Sequence, residues 1–231
     1  MSNNLTEQLK NTPQTSESKF TIQSLVNEAV SGERTDREMT HWHPSALGSC
    51  LTGQYLKRLG VKPDREYDDR MLRVFAVGKM FEDWLVDQIE KKQKVERQVR
   101  IEWPEYDLSG YADFVANGIP HEIKTVHSKA FWYMSREGGP KIQHRMQLWT
   151  YLKCLDKPEG RLIYLSKDDL AISEYIVLLS DKEIQETVEE ELSILNEAWE
   201  KKVAPNPPPE DSWTAKYCRW HSQCITQNSY L

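Results

Sequence analysis

The sequence predicts an α/β domain, in which a mixed sheet of four or five strands is covered by helices. Three observations support this class. The segment Leu108–Val126 has the pattern of two strands joined by a tight turn at Asn117-Gly118. Two further apolar runs, RLIYLS and ISEYIVL, indicate a second strand pair. Longer segments with apolar residues spaced by three and four alternate with these strands and indicate helices.

Length and composition narrow the class of protein. A chain of 231 residues is long enough for one domain with appendages. No apolar run approaches the roughly 20 residues of a membrane helix, so we expect a cytoplasmic protein with no membrane partner. The net charge of −6 argues against a generally basic nucleic-acid binder but allows a local positive groove. Four cysteines in such a chain favour a metal site over a disulfide scaffold.

Composition divides the chain into three parts. Residues 1–38 are polar and form a predicted flexible tail that carries one short helix in FTIQSLVNEAV. Residues 39–204 contain the predicted strands and helices of the core. Residues 205–231 comprise a proline-rich linker, PNPPPEDSW, and a tail with two cysteines.

The long helix predicted from Tyr67 to Lys92 carries an acidic residue in its apolar stripe. The stripe comprises Met71, Phe75, Gly78, Glu82, Leu85 and Ile89. A carboxylate that faces a core is costly unless it is paired or bound to a metal. Gly78, one turn before Glu82, leaves space for another element to approach. The alternative is a solvent-exposed Glu82, because the helix has apolar residues on other faces too.

The hairpin that follows carries the chemistry. A two-residue turn at Asn117-Gly118 places Asp113 opposite Glu122, with β-carbons about 4.5–5.5 Å apart, and Lys124 on the same face. Two carboxylates so placed repel each other unless a cation lies between them or one carries a proton. Together with a lysine they suit a Mg²⁺ or Mn²⁺ ion that acts on a phosphodiester. A surface hairpin with an ordinary ion pair is the alternative.

The helix predicted over residues 141–155 presents an unusual polar face. His144, Gln147, Tyr151 and Cys154 are spaced by three and four and share that face. Such a stripe seldom faces a core without polar partners, although a half-buried helix with polar edges is the alternative. Before it, the aromatic run at residues 131–133 either stacks unpaired bases or covers the core. After it, Lys167 either reaches a nucleic-acid backbone or belongs to a charged turn.

These motifs together resemble the PD-(D/E)XK nuclease superfamily and its RecB-like branch, which includes the CRISPR-associated exonucleases. The resemblance runs from about Ser45 to Cys224 and rests on SALGSC, GKMFEDWL, an Asp followed by Glu-x-Lys on the next strand, Gln-x-x-x-Tyr and KYCRWHSQC. It implies a restriction-endonuclease-like core with the two motif helices on one side of the sheet. It also implies that the N-terminal helix, which His43 opens and which ends near Gly60, packs against the C-terminal tail.

The resemblance assigns roles to particular residues. The implied metal ligands are Glu82, Asp113, Glu122 and the Ile123 carbonyl. Lys124 would position the attacking water, and Gln147 and Tyr151 would hold the scissile phosphate. His144 would contact DNA or support these groups from behind.

The resemblance also implies a metal centre built from cysteines. Cys50, Cys218 and Cys224 stand where cluster-bearing relatives have ligands to a [4Fe-4S] cluster, but the fourth expected cysteine is Ala215. Four ligands are the norm for such clusters and for structural Zn²⁺. A cluster, a zinc ion with another fourth ligand, and a tail held by packing alone all stay open.

The predicted function is therefore a divalent-metal-dependent DNA nuclease, most simply an exonuclease on single-stranded DNA or DNA ends. The resemblance implies a role in recombination, repair or phage- and CRISPR-related DNA processing in a microbial or phage-infected cell, with a recombination, helicase or CRISPR-adaptation protein as partner. One alternative is a non-catalytic DNA-binding subunit with a degenerate nuclease fold. Another is a structural metal protein organised by the cysteines.

Overall fold

The structure is a computed structural model that describes residues 21–32 and 39–226. Most of the predicted N-terminal tail therefore lies outside the described residues. The strands are β1 (Val95–Trp103), β2 (Leu108–Ala116), β3 (Ile119–Val126), β4 (Glu159–Ser166) and β5 (Ile172–Leu178). The described helices are α1 (Ile22–Gly32), α2 (Leu51–Arg58), α3 (Asp69–Glu90), α4 (Ser128–Tyr133), α5 (Ile142–Leu155), α6 (Lys182–Lys201), α7 (Trp213–Lys216) and α8 (His221–Thr226).

The strands form one mixed sheet of five strands in the order β1-β2-β3-β4-β5. All neighbours are antiparallel except β3 and β4, which are parallel. A parallel pair needs a crossover connection, and α4 and α5 supply it. The predicted fold class, a mixed sheet flanked by helices, is confirmed.

The β2–β3 hairpin has the predicted turn. Asn117 and Gly118 have φ of 51° and 74°, the left-handed backbone that a type I′ turn requires at both positions. The register follows from it, with Ala116 opposite Ile119. The ladder nevertheless ends at the pair of Phe114 and His121. The hairpin pattern predicted that Asp113 and Glu122 form the next pair of the ladder, and this prediction is wrong.

The ladder ends there because β1 and β2 are both distorted beside Asp113. Gln98 of β1, the residue between the paired positions Arg97 and Val99, has a positive φ of 48°. Ala112 packs in the core cluster with α5, whereas Phe114 packs in the cluster with α3. Strand β2 thus changes the side that it presents at Asp113, and the Asp113 side chain takes over a backbone hydrogen bond.

The two motif helices lie on opposite faces of the sheet, and the prediction that they share one side is wrong. Leu162 packs with the helix α5, and the next residue, Ile163, packs with Leu85 and Val86 of α3. Successive strand residues point to opposite faces. Of the predicted α3 stripe only Leu85 is buried, and Phe75 is 45% exposed.

The start of the core and the C-terminal tail pack together, as predicted. The expected helix from His43 is interrupted: a 3₁₀ turn at Pro44–Ala46 is followed by α2, and Gly48 between them has φ of 75°. Cys50 is the N-cap of α2 rather than a residue within it. It belongs to a buried cluster with Leu56, Cys218, Trp220 and Cys224. In the described part of the chain, no helix is both long and apolar enough to cross a lipid bilayer.

Candidate active site

Four side chains from β3 and α5 form a closed hydrogen-bonded ring. The Lys124 ammonium lies 2.5 Å from Glu122 Oε1 and donates to Gln147 Oε1 at 2.9 Å. The Gln147 amide donates to the Tyr151 hydroxyl at 2.6 Å, and that hydroxyl donates to Glu122 Oε2 at 2.8 Å. Glu122 is 1% exposed, so its charge depends on these partners for compensation.

The ring follows from simple periodicity. Glu122 and Lys124 lie two residues apart on a strand and share a face, while Gln147 and Tyr151 lie one helical turn apart. Burial, together with the charges of Glu122 and Asp113, raises the pKa of Tyr151 well above its usual value, so the hydroxyl keeps its proton. Burial lowers the pKa of Lys124, but the neighbouring carboxylates outweigh it and the net pKa is raised. The sequence pattern predicted that Glu122 shares a face with Lys124 and that Gln147 shares a face with Tyr151, and the structure agrees.

Asp113 approaches the ring from β2. Its Oδ2 accepts the backbone N–H of Ile123 at 2.8 Å, a group that would otherwise continue the ladder. Burial, and after it the charges of Glu122 and Glu82, raise the pKa of Asp113 well above its usual value. The charges of Glu122 and Glu82 thus oppose the ionisation of Asp113, and this excess of negative charge suits a cation.

Glu82 reaches this region from the other face of the sheet. Helix α3 approaches β3 closely at Gly78, where a β-carbon would lie 3.3 Å from the Thr125 hydroxyl oxygen, as the sequence predicted. Glu82 Oε1 accepts from Lys79 at 2.9 Å and from Gln98 at 3.4 Å. Its side chain is 19% exposed, so it is neither fully buried nor a free surface residue.

Mg²⁺ and Mn²⁺ prefer hard oxygen ligands, and carboxylates are the commonest of these in proteins. The donor set of Asp113, Glu122 and Glu82 therefore fits a divalent cation in its chemistry. The carboxylate oxygens of these three residues do not, however, all lie within 4.8 Å of one another. Among the described residues, the one group of three potential ligands whose atoms all lie within 4.8 Å consists of cysteines.

The other predicted contact residues have different outcomes. His144 Nδ1 is hydrogen-bonded to the Tyr164 hydroxyl at 2.7 Å, beside the ring. Burial and the charges of Lys124 and Lys141 lower the pKa of His144 to about 3, so the imidazole is neutral. Lys167 does not line the cavity described below, and its backbone N–H donates to the Val126 carbonyl at 2.8 Å, just past the end of β3.

The aromatic run at residues 131–133 is split between the two predicted roles. Phe131 is 2% exposed and belongs to the core, whereas Trp132 and Tyr133 are 42% and 61% exposed. The Trp132 indole N–H donates to Asp169 at 3.3 Å. Neither aromatic side chain lines the cavity beside the ring around Lys124.

The three predicted cysteine ligands meet in a second site. Cys50 Sγ and Cys218 Sγ lie 4.0 Å and 3.6 Å from Cys224 Sγ. Hydrogen bonds from Cys218 and Cys224 lower the pKa of Cys50 to about 3, which favours a thiolate. A β-carbon at Gly53 would lie 3.0 Å from Cys218 Sγ and would crowd this sulfur atom. The soft donor set fits Zn²⁺ or an iron–sulfur cluster.

The fourth position of this thiol cluster is not filled by a described ligand. Ala215, where the resemblance expects a cysteine, is 3% exposed and has no donor side chain. His221 Nδ1 is hydrogen-bonded to the Ala215 carbonyl oxygen at 2.9 Å, and His221 is not part of the described group within 4.8 Å.

A cavity of about 610 Å³ touches both sites. Lys124 and Gln147 of the active-site ring and the neighbouring His144 contribute to its lining, and Cys50 and Cys218 contribute from the thiol cluster. Gln54, Trp213 and Tyr217 also line it, and the sequence did not single them out as ligand-contacting residues. The available signal was their spacing, because Gln54 follows Cys50 by four residues and Tyr217 follows Trp213 by four.

The fold is shared with solved exonuclease structures, and the predicted likeness to the PD-(D/E)XK nuclease superfamily is confirmed. The sequence is 29% identical over 133 residues to the CRISPR-associated exonuclease Cas4 of Saccharolobus solfataricus. This match covers 55% of the chain and 57% of that protein, so the chain spans a little over half of the length of its curated relative. No protein-family model matches the sequence.

Solved structures agree on the fold. The crystal structure of SSO0001 superposes with a TM-score of 0.56 at 21% identity and covers 90% of this chain and 98% of that one. The alkaline exonuclease LHK-Exo of Laribacter hongkongensis gives a TM-score of 0.55 at 18% identity over 76% of this chain and 93% of that one. LHK-Exo in complex with dAMP gives 0.55 at 16% identity, over 71% of this chain and 90% of that one. At these identities the likeness establishes the fold alone.

Proposed function

We propose that this protein is a divalent-metal-dependent DNA nuclease that hydrolyses phosphodiester bonds in single-stranded DNA or at DNA ends. The observation that carries the proposal is the closed ring of Lys124, Gln147, Tyr151 and Glu122, with Asp113 beside it. A half-buried lysine held by a glutamine, beside a buried carboxylate held by a tyrosine, is more elaborate than an ordinary ion pair requires. The likeness to an exonuclease in sequence supports the same function.

Each side chain has a task in this reaction. Asp113, Glu122 and Glu82, with the Ile123 carbonyl, would hold a Mg²⁺ or Mn²⁺ ion. When bound, such an ion supplies Lewis acidity toward the phosphate and lowers the pKa of water. Lys124 keeps its proton next to Glu122 and can orient the nucleophile and stabilise developing negative charge. Gln147 and Tyr151 keep Lys124 and Glu122 in place.

The thiol cluster has a structural task in this proposal. Cys50 belongs to the beginning of the core and Cys218 and Cys224 to the C-terminal tail, so an ion or cluster bound by their sulfur atoms would tie the tail to the core. Metal analysis of the purified protein distinguishes the alternatives: zinc without iron indicates Zn²⁺, and iron with acid-labile sulfide indicates a cluster.

The test of nuclease activity uses end-labelled single-stranded and double-stranded DNA, incubated with the protein in Mn²⁺ or in EDTA. We expect degradation in Mn²⁺, none in EDTA, and none with Lys124→Ala. Lys129→Ala, at an exposed lysine outside the cavity, is the matched control and should degrade DNA like the wild type. DNA binding without any cleavage in Mn²⁺ would contradict the proposal and favour a non-catalytic DNA-binding subunit.

A further inference from the structure

Among the described residues, the charged side chains that line the cavity between the two sites are all positive. Lys57, Lys124, Lys141 and Arg219 contribute to it, and no Asp or Glu is present among the described residues that line it. The whole chain, in contrast, has a net charge of −6. Two of these cations have a carboxylate partner behind the lining, Lys124 with Glu122 and Arg219 with Glu66, but the charged side chains that the described lining itself presents are all positive. A polyanion is the ligand class that such a surface attracts.

The tail places two large aromatic side chains at this cavity. Trp213 and Tyr217 lie one helical turn apart, with ring centroids 4.1 Å apart and an interplanar angle of 36°. They are 73% and 66% exposed, although both also line the cavity. Large aromatic rings that are so exposed contribute little to a core. Exposed rings beside a positive groove are typical of sites that stack unpaired bases.

A buried amide without a partner lies in the same cavity. Gln54 of α2 is 5% exposed, and neither its Oε1 nor its Nε2 has a hydrogen-bond partner among the described residues. Leaving a buried amide unpaired is costly, so nearly all buried side-chain polar groups are satisfied. The amide offers two donors and an acceptor, which is the hydrogen-bonding pattern that complements the edge of a nucleobase.

We infer that this cavity binds nucleotides of single-stranded DNA next to the scissile phosphate. Trp213 and Tyr217 stack an unpaired base, Gln54 hydrogen-bonds to a base edge, and the lysines and Arg219 contact phosphates. A cavity of about 610 Å³ lies within the range of small-ligand sites and suits a short stretch of single strand. Base pairs hide the faces and edges that these groups contact, so duplex DNA does not fit. The inference rests on the proposed function for its substrate, but binding is separable from cleavage.

The test measures binding of a fluorescein-labelled oligothymidine of about 16 nucleotides to the full-length protein by fluorescence anisotropy in EDTA, where no cleavage is expected. Trp213→Ala should raise the Kd about tenfold and Tyr217→Ala by a similar factor, because each removes a stacking surface. Trp213→Phe, which keeps an aromatic ring, should recover most of the affinity. Trp132→Ala is the control at another exposed tryptophan outside the cavity and should bind like the wild type.

Gln54→Met separates a binding role from a structural one. Methionine has a similar shape but no hydrogen-bonding amide. Because the amide has no described partner in the protein, we expect the melting temperature to stay the same or rise while the Kd increases about fivefold. A lower content of bound iron or zinc with unchanged DNA affinity would overturn this role and assign the amide to the thiol cluster instead.

The results also separate this inference from the proposed function. If the protein cleaves DNA but Trp213→Ala and Tyr217→Ala bind as tightly as the wild type, the inference is wrong and the nuclease proposal stands. If Trp213→Ala weakens binding but the wild type never cleaves in Mn²⁺, the cavity site stands and the nuclease proposal fails. Equal weakening by Trp132→Ala and Trp213→Ala would contradict a specific stacking site.

Discussion

The two clusters that border the cavity, the active-site ring and the thiol cluster, differ in the parts of the chain that they join and in their electrostatics. The active-site ring joins β3 to α5, which are close in the chain, and burial together with the charges of Glu122 and Glu82 raises the pKa of the adjacent Asp113. The thiol cluster joins distant parts of the chain, with the Cys50 and Cys224 sulfur atoms 4.0 Å apart and the two residues 174 positions apart in sequence. The first site retains an electrostatic cost that a metal can relieve. The second site holds the C-terminal tail against the beginning of the core. Substitutions should therefore lower activity at the first site and stability at the second.

The largest expected effect is on catalysis at Glu122. Glu122→Gln keeps the shape of the side chain but removes its charge, so it cannot serve as an anionic metal ligand or offset the charge of Lys124. We expect the rate of single-strand degradation in Mn²⁺ to fall about 10²–10³-fold, the range found when one preorganised polar group is lost from an active site. Glu186→Gln, at an exposed position of α6, is the control. Similar rates for both variants would remove Glu122 from the chemistry.

The next effect is on stability at the thiol cluster. Cys224→Ser should reduce the bound iron or zinc and lower the melting temperature by at least about 5 °C, since 1 kcal/mol corresponds to about 2–4 °C in a chain of this size. The cleavage rate of the protein that remains folded should change much less. Cys154→Ser tests a thiol outside the cluster, whose pKa burial raises to about 12, and should leave the metal content unchanged. Equal metal content in both variants would contradict a bound metal at Cys224.

A smaller effect is expected at Tyr151, which links the helix to the carboxylate. Tyr151→Phe leaves Glu122 Oε2 and the Gln147 amide without their present partners. We expect the free energy of unfolding to fall by about 1–3 kcal/mol and the cleavage rate to fall about tenfold. Tyr133→Phe, at a tyrosine that is 61% exposed, should change neither quantity. Denaturant unfolding and single-strand degradation, measured on the same preparations, check both expectations.

Local pattern was sufficient for the hairpin and for α5. The Asn117-Gly118 turn requires positive φ at both residues, and one helical turn fixes Gln147 next to Tyr151. The placement of α3 was not predictable, because which face of the sheet a helix covers depends on the whole chain path. No local pattern indicated that Gln98 has positive φ and that the ladder ends beside Asp113.

The cavity could not be predicted from the sequence for a related reason. Its lining comes from α2, β3, α5 and the tail, and its most informative member, Gln54, is identified by the absence of a described hydrogen-bond partner. No pattern of residue types encodes that property. The cysteine positions were predictable individually from the resemblance, whereas the separation of 3.6 Å between Cys218 Sγ and Cys224 Sγ required coordinates.

The raised pKa of Asp113 predicts how the stability of the metal-free protein depends on pH. Because burial and two carboxylates raise the pKa of Asp113 in the folded state, the unfolded chain ionises first. The wild type should therefore lose stability in EDTA as the pH rises from about 4, the ordinary Asp value, toward the raised pKa. Asp113→Asn removes this charge while its amide oxygen can still accept the Ile123 N–H, so this part of the pH dependence should disappear.

Thermal unfolding of the wild type and of Asp113→Asn at pH 8, in EDTA and in Mn²⁺, tests the central claim most directly. We expect the variant to melt higher than the wild type in EDTA. Saturating Mn²⁺ should raise the melting temperature of the wild type, since a ligand at about 100 times its Kd contributes about 2.7 kcal/mol, and should leave the variant nearly unchanged. An equal Mn²⁺ shift in both proteins, or a variant that melts lower than the wild type in EDTA, would contradict a metal site at this carboxylate cluster.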